Sequence, residues 1–372
     1  MDEKRILVYG MTNNPGGIET YLMNLLRSLE QSEFCLDFVT DFENIAHRDE
    51  IISSQSNIYY IPAKSKNLLG HWRALWRILK KHPEYKTIYF NILDAGALVT
   101  ILVPWLLRKK IIVHSHNGAT NKKRLHNICK PMLNFCSDKK IACSQLAASF
   151  MFGEKEECLI VPNAIDLSKY VYDLKKRIQV RCDLGIRNNF VVCHIGRITE
   201  QKNPFRIIDI IKATVNKEPR TMLLYIGEGE LSEDVHEYAE RMGVSQYIKF
   251  LGIRKDIPDL LIAADVFLLP SLYEGLPIVG VEAQACGLPC VLSDTITKEV
   301  ALTEAIHFCS LEEDNNIWAD ALLEFIDYKR GDDQSRLQKA GYSLKEHTDS
   351  YYELFNFFKI KGRKRHVSTS KK

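Results

Sequence analysis

The 372-residue chain has no apolar run long enough to cross a bilayer as a helix. Its longest, Ala95–Leu107, holds 13 residues and contains Pro104, whereas a span needs ~20. An apolar signal segment is missing at the N-terminus, so the sequence reads as that of a cytoplasmic protein. No pair among the ten cysteines has the Cys-x-x-Cys spacing. Most lie inside apolar runs, as Cys35, Cys193 and Cys309 do. That argues for reduced, buried thiols and against a disulfide framework or a zinc site. The Gly-x-Gly-x-x-Gly turn of dinucleotide-binding proteins is absent, which disfavours NAD. No zinc-finger or RNA-recognition signature occurs, so nucleic acid is not expected as a partner.

What is present is alternation. Short apolar runs at Ile6–Tyr9, Phe34–Thr40, Thr87–Ile92, Ile111–Ser115 and Lys140–Cys143 read as buried strands. Between the first two, Ile18, Tyr21, Leu22, Leu25, Leu26 and Leu29 recur at helical spacing. A second series follows at Phe190–Ile195, Thr221–Ile226, Ile248–Leu251, Val266–Leu269 and Cys290–Leu292, and the polar stretch Asn163–Asn189 separates the two. Strands alternating with helices imply parallel sheets covered on both faces. The pattern predicts an α/β protein of two doubly wound domains, over residues 1–166 and 167–344. A helix over 345–360 would cross back to the first domain, and 361–372 form a basic tail.

Charge is divided between the halves. Residues 60–140 hold 16 Lys and Arg against Glu84, Asp94 and Asp138, whereas residues 166–358 hold 22 bases against 31 acids. A basic first half suits an anionic membrane surface, although a merely solvated basic face is the plainer alternative. Leu68, Leu69, Trp72, Leu75, Trp76 and Leu79 recur at helical spacing among His71, Arg73, Arg77, Lys80 and Lys81. That stripe either packs on the sheet or lies on a lipid surface.

In open parallel sheets ligands bind beyond the carboxyl ends of the strands. Several predicted strands run into distinctive segments there: Gly16-Gly17-Ile18-Glu19, His114-Ser115-His116-Asn117, Gly196-Arg197 with Lys202, and Glu274-Gly275-Leu276-Pro277 with Glu282. This set resembles the retaining glycosyltransferases of family 4, which have the GT-B fold of two Rossmann-like domains facing across a cleft. Bacterial capsule and exopolysaccharide enzymes are the most similar members.

The spacing of Glu274 and Glu282 corresponds to about two helical turns, which puts both on one face roughly 12 Å apart. That is too far for a carboxylate pair acting on one bond, at ~5–5.5 Å, and suits two contacts to one long ligand. The resemblance implies that Glu274 holds donor-sugar hydroxyls, that Glu282 holds the ribose, and that the amides of Leu276, Ile278 and Val279 approach the sugar or phosphate. Pro277 removes one amide that many family members have. Arg197 and Lys202 suit a diphosphate, and the Gly16 and Gly17 amides can approach a phosphate from the other domain. Arg254 matches the place where the family reads the base. His116 matches a histidine that lines the donor sugar, although His114, two residues earlier in the strand, points the same way.

The expectation is therefore a metal-independent, retaining hexosyltransferase that needs no cofactor. Its donor is a nucleoside-diphosphate sugar, UDP-linked, and its acceptor is a saccharide or lipid-linked saccharide, used at the inner face of the cell membrane. The rival readings are a GT-B sugar-nucleotide epimerase and a non-catalytic GT-B partner subunit.

Overall fold

The computed structural model describes residues 4–13, 16–30, 32–331, 333–345 and Phe355. In the first half, β1 (Lys4–Tyr9), β2 (Phe34–Thr40), β3 (Ile58–Tyr60), β4 (Thr87–Ile92), β5 (Lys110–Ser115), β6 (Lys139–Ala142) and β7 (Leu159–Ile160) form one sheet in the order 3-2-1-4-5-6-7. In the second, β8 (Phe190–Ile195), β9 (Thr221–Ile226), β10 (Ile248–Gly252), β11 (Val266–Leu269), β12 (Cys290–Ser293) and β13 (Ile306–Cys309) form another, in the order 10-9-8-11-12-13. Pairings such as β1 with β2 and β4, and β8 with β9 and β11, are all parallel. Central strands are apolar end to end because helices cover both faces, and all six residues of β8 are buried.

Each sheet turns back on itself once, between β1 and β4 in the first and between β8 and β11 in the second. A crevice opens beyond the strand ends at such a switch point. Three strands escape the apolar-run reading: β3, β7 and β13. All three are sheet edges, short and half-exposed, so they carry no buried run to detect.

Helix Leu68–Lys81 decides between the two readings of its stripe. His71, Leu75 and Leu79 are buried, and the Trp72 indole N–H donates to the Val99 carbonyl at 2.6 Å. Leu75, Leu79 and Trp72 pack on the fold, whereas Leu68, Leu69 and Trp76, the other half of the stripe, are exposed at its margin. The helix expected over 345–360 and the basic tail lie outside the described residues, except for Lys345 and Phe355. Phe355 sets its ring 5.5 Å from Phe34 and 5.7 Å from Tyr89 of the first sheet.

Beyond the ends of β8 and β9, backbone meets backbone. Gly227, at φ +131°, lies where a methyl group would come within 2.1 Å of the Gly196 carbonyl oxygen. Only glycine accepts both that conformation and that approach. Gly227→Ala should therefore cost about 1–3 kcal/mol from backbone strain, with the clash added. A fall in the thermal midpoint checks this, and an unchanged midpoint contradicts it.

Candidate functional site

The second domain supplies the cationic wall. Gly196 and Arg197 follow β8 directly, and Lys202 ends the short turn Glu200–Lys202. Arg197 is exposed and carries no ion pair among the described residues, and its charge acts on Glu19 of the first domain, favouring the ionised carboxylate. Lys202 is not free, since its ammonium sits 2.5 Å from Glu274 Oε1. The sequence set Arg197 and Lys202 side by side as diphosphate contacts, and the structure adds that the largely buried Glu274 carboxylate pairs with Lys202.

Glu274 lies in the loop after β11, held also by Gln201, whose side-chain amide donates to the Tyr273 carbonyl at 3.0 Å. The helix begins only at Ile278, with Pro277 as its cap residue. The two-turn reading of the glutamate spacing is therefore wrong, because a proline that cannot continue a preceding helical turn starts a new one. Glu282 stands in the helix, buried, and its Oε1 accepts the Tyr170 hydroxyl at 2.6 Å. Burial raises the Glu282 carboxyl above its ordinary range, and Tyr170 partly offsets this. Leu276 and Ile278 bury their side chains, so they can offer a ligand only backbone. The first-turn amides of Ile278 and Val279 have no carbonyl acceptor among the turn and cap hydrogen bonds of the described residues.

Arg254, after β10, forms a double hydrogen bond with Asp256 at 2.8 and 2.6 Å. Its guanidinium is thus occupied by a neighbour two residues away, although the adjoining Gly252 backbone does lie against Gly227 and Glu228.

The first domain supplies the opposite wall. Gly16 and Gly17 open helix Gly17–Ser28, and a methyl on Gly17 would lie 4.0 Å from Ile278 Cδ1, so this loop faces the start of the Ile278–Ala285 helix. Glu19 turns back onto Thr12, accepting from its hydroxyl at 2.6 Å and its amide at 3.1 Å. Burial raises its carboxyl, with the Thr12 bonds opposing.

His114 and His116 lie with ring centroids 4.0 Å apart, on the same side as their spacing implies, but in different surroundings. His114 is fully enclosed, with Nδ1 2.6 Å from the Tyr89 hydroxyl and its ring edge-on to Tyr21. His116 lies beyond the end of β5, its Nε2 2.9 Å from Asn91 Oδ1, and its Nδ1 has no hydrogen-bond partner among the described residues.

The two walls touch. A methyl on Gly275 would lie 2.5 Å from the His116 carbonyl oxygen, and one on Gly118 would lie 2.7 Å from that of Glu274. The Ser144 hydroxyl donates to the Gly275 carbonyl at 3.0 Å, and Glu299 accepts the Gln145 amide at 2.9 Å. His116, Glu274, Lys202, Gly17 and the helix start at Ile278 are thereby gathered at one seam. Glu19, Asn91, Tyr170, Ser144 and Glu299 belong to it as well and were not assigned from sequence. Glu19 had a signal as the last residue of the Gly-Gly-Ile-Glu turn, and Ser144 as part of the Ala142–Gln145 segment after a strand.

Burial pushes the imidazoles of His116 and His194 down to about 3, and that of His114 down as well. Unfolded, each titrates near 6.5. As pH falls below that value the unfolded chain binds protons that the folded chain refuses. Stability is therefore full above pH 6.5 and lost below it, by up to ~1.4 kcal/mol per pH unit for each histidine. Glu19 and Glu282, raised by burial, act in the opposite sense and reduce the slope. Urea midpoints should drop from pH 7 to 5.5, and His116→Asn should flatten the drop by one histidine's share. Equal midpoints at the two pH values would contradict the assignment of buried neutral imidazoles.

The sequence pattern of the glycosyl transferases group 1 matches residues 178–344, and that of glycosyltransferase family 4 matches 15–169. EpsF of Bacillus subtilis (strain 168), named as a glycosyltransferase, is 29% identical over 95% of this chain and 97% of its own. The UDP-Gal:alpha-D-GlcNAc-diphosphoundecaprenol alpha-1,3-galactosyltransferase of Escherichia coli is 30% identical over 63% of this chain and 66% of its own. Among solved structures, Anabaena HepE in complex with UDP and glucose superposes with a TM-score of 0.80 at 20% identity, over 95% of this chain and 100% of that one. With two switch-point sheets meeting at one seam and a matching pattern for each half, the chain belongs to the GT-B glycosyltransferases that join a family 4 domain to a group 1 domain.

Proposed function

We propose that the protein transfers a hexose, with retention, from a UDP-sugar to a lipid-linked saccharide in surface-polysaccharide synthesis. The observation that carries this reading is that Arg197, on the same loop as Lys202, has no ion pair among the described residues, and that the Ile278 and Val279 amides, in the helix that opens beyond Glu274, have no carbonyl acceptor among the turn and cap hydrogen bonds of the described residues. Such a group suits a diphosphate leaving group. The Escherichia coli relative, named for UDP-galactose and a diphosphoundecaprenol-linked acceptor, and HepE in complex with UDP and glucose support a UDP-linked donor and a lipid-linked acceptor.

A donor diphosphate would draw Lys202 off Glu274, which frees that carboxylate for sugar hydroxyls. Glu282 would then take the ribose. The acceptor hydroxyl would attack the anomeric carbon on the face the phosphate leaves, its proton passing to the departing phosphate oxygen. Protein cations would bear the charge that a metal bears elsewhere.

Slow hydrolysis of a panel of nucleoside-diphosphate sugars tests the reading. A transferase yields nucleoside diphosphate and free sugar, an epimerase a new sugar nucleotide, and a binding subunit neither. Arg197→Ala should lower kcat by ~10²-fold or more. Full activity in EDTA is expected, and a strict metal requirement would sink the protein-cation mechanism.

No helix among the described residues is long and apolar enough to cross a membrane. Helix Lys123–Cys136, however, is apolar on two faces. One buries His126, Cys129, Leu133 and Cys136. The other turns Leu125, Ile128 and Phe135 outward, with Ile128 69% and Phe135 72% exposed. Lys122, Lys123, Arg124 and Arg108–Lys110 flank it, so the anionic leaflet expected from the charge pattern would meet this helix and not Leu68–Lys81. Anionic liposomes should bind the protein and release it in salt, and Ile128→Glu with Phe135→Glu should abolish binding. Retention on neutral liposomes in high salt, or no binding to either kind in low salt, would overturn the membrane reading.

A further inference from the structure

Four polar residues with no part in the donor site converge on the first sheet. Tyr9 ends β1, Asp41 follows β2, Lys64 follows β3 and Asp94 follows β4, so four adjacent strands deliver them to one carboxyl edge. The Lys64 ammonium donates to the Tyr9 hydroxyl at 3.1 Å and lies 5.4 Å from its ring centre. Asp41 Oδ1 is 3.5 Å from the same hydroxyl. That is long for an O–H···O bond, so the carboxylate keeps lone pairs to spare. Burial would lower the Lys64 ammonium, and Tyr9, Asp41 and Asp94 more than reverse this.

The cluster is built to hold its shape. Buried His71 donates from Nδ1 to the Pro62 carbonyl at 2.8 Å, which leaves Nε2 to accept the Thr100 hydroxyl at 3.0 Å. Asn67 caps the following helix through the Gly70 amide at 2.8 Å, and its own amide bonds back to Ala63 at 2.9 Å. The loop bearing Lys64 is therefore fixed at both ends. Asp94 Oδ1 is held by the Gly96 amide at 2.7 Å. The neighbour on the other side is the reacting seam, since Gly10 follows Tyr9, packs on Asn91, and Asn91 meets His116 at 2.9 Å.

We propose that Tyr9, Asp41, Lys64 and Asp94 form the subsite that binds the acceptor's saccharide through its hydroxyls; this rests on the transferase reading above. Charge decides the ligand class. Two carboxylates outweigh one ammonium, so a phosphate is repelled. A diol can donate to both carboxylates and accept from Lys64. The phosphates of a lipid-linked acceptor would then lie outside this subsite.

Octyl β-glucoside, octyl β-galactoside and octyl β-N-acetylglucosaminide serve as probes, each given with the UDP-sugar that the protein hydrolyses. The readout is UDP release relative to each variant's own release without probe. At least one probe should stimulate the wild type, and its apparent KM should rise about tenfold or more in Asp41→Asn and in Lys64→Met. Lys64→Arg, which keeps the charge, should recover part of the loss. Equal KM values in wild type and both variants overturn the subsite. The same probes titrated by NMR without donor distinguish the two failures. Binding in wild type that the variants lose, without any transfer, faults the transferase reading alone. No binding of any probe to the wild type faults the subsite.

Discussion

Gly275 lies so close to the first domain that a methyl group there would sit 2.5 Å from the His116 carbonyl oxygen. Ser144 holds the same peptide from the other side, donating to its carbonyl at 3.0 Å. This backbone approach brings Glu274, on the residue before, to the wall that carries His116. Lys202 follows because it is paired to Glu274, and the helix beginning at Ile278 follows because Pro277 starts it three residues on. A side chain at position 275 would move all of them together.

A second set of close approaches orders the second domain's face of the seam. Gly227 and Gly229 pack onto the Gly196 and Ile198 backbone, and Gly252 receives the Gly227 amide. The loops after β8, β9 and β10 thus form one stacked layer behind Arg197. Opposite charges in this layer pair before any ligand arrives, Lys202 with Glu274 and Arg254 with Asp256. Binding must exchange these partners for those of the ligand, and Arg197 alone meets an anion without such an exchange.

Most of the fold was legible because central parallel strands are buried on both faces and so appear as apolar runs. Phe34–Thr40, Thr87–Ile92, Phe190–Ile195 and Val266–Leu269 were read with their observed limits. The edge strands β3, β7 and β13 were not, since one side of each is open to solvent. Helix Leu68–Lys81 was legible as a helix, but periodicity cannot say whether a stripe meets protein or lipid. The site residues were found as motifs at strand ends, yet their pairings were not. The Lys202–Glu274 pair joins positions 72 residues apart, and the Tyr170–Glu282 bond joins positions 112 apart. His114 and His116 share a spacing, and the end of β5 at Ser115 separates them, one inside the sheet and one beyond it. Tyr9, Asp41, Lys64 and Asp94 are not legible as a group because each is an ordinary residue at its own strand end or in the loop after it. Only the strand order 3-2-1-4 makes them neighbours.

If the chemistry lies across the seam and the nucleotide rests mainly on the second domain, Gly275→Ala separates the two. Calorimetric titration with UDP and UDP-sugar hydrolysis, measured on this one variant, form the most direct test. UDP affinity within about twofold of wild type with turnover lowered ~10²-fold or more is the predicted result. Turnover near the wild-type rate would contradict it, because the Glu274 loop would then not need its contact with His116.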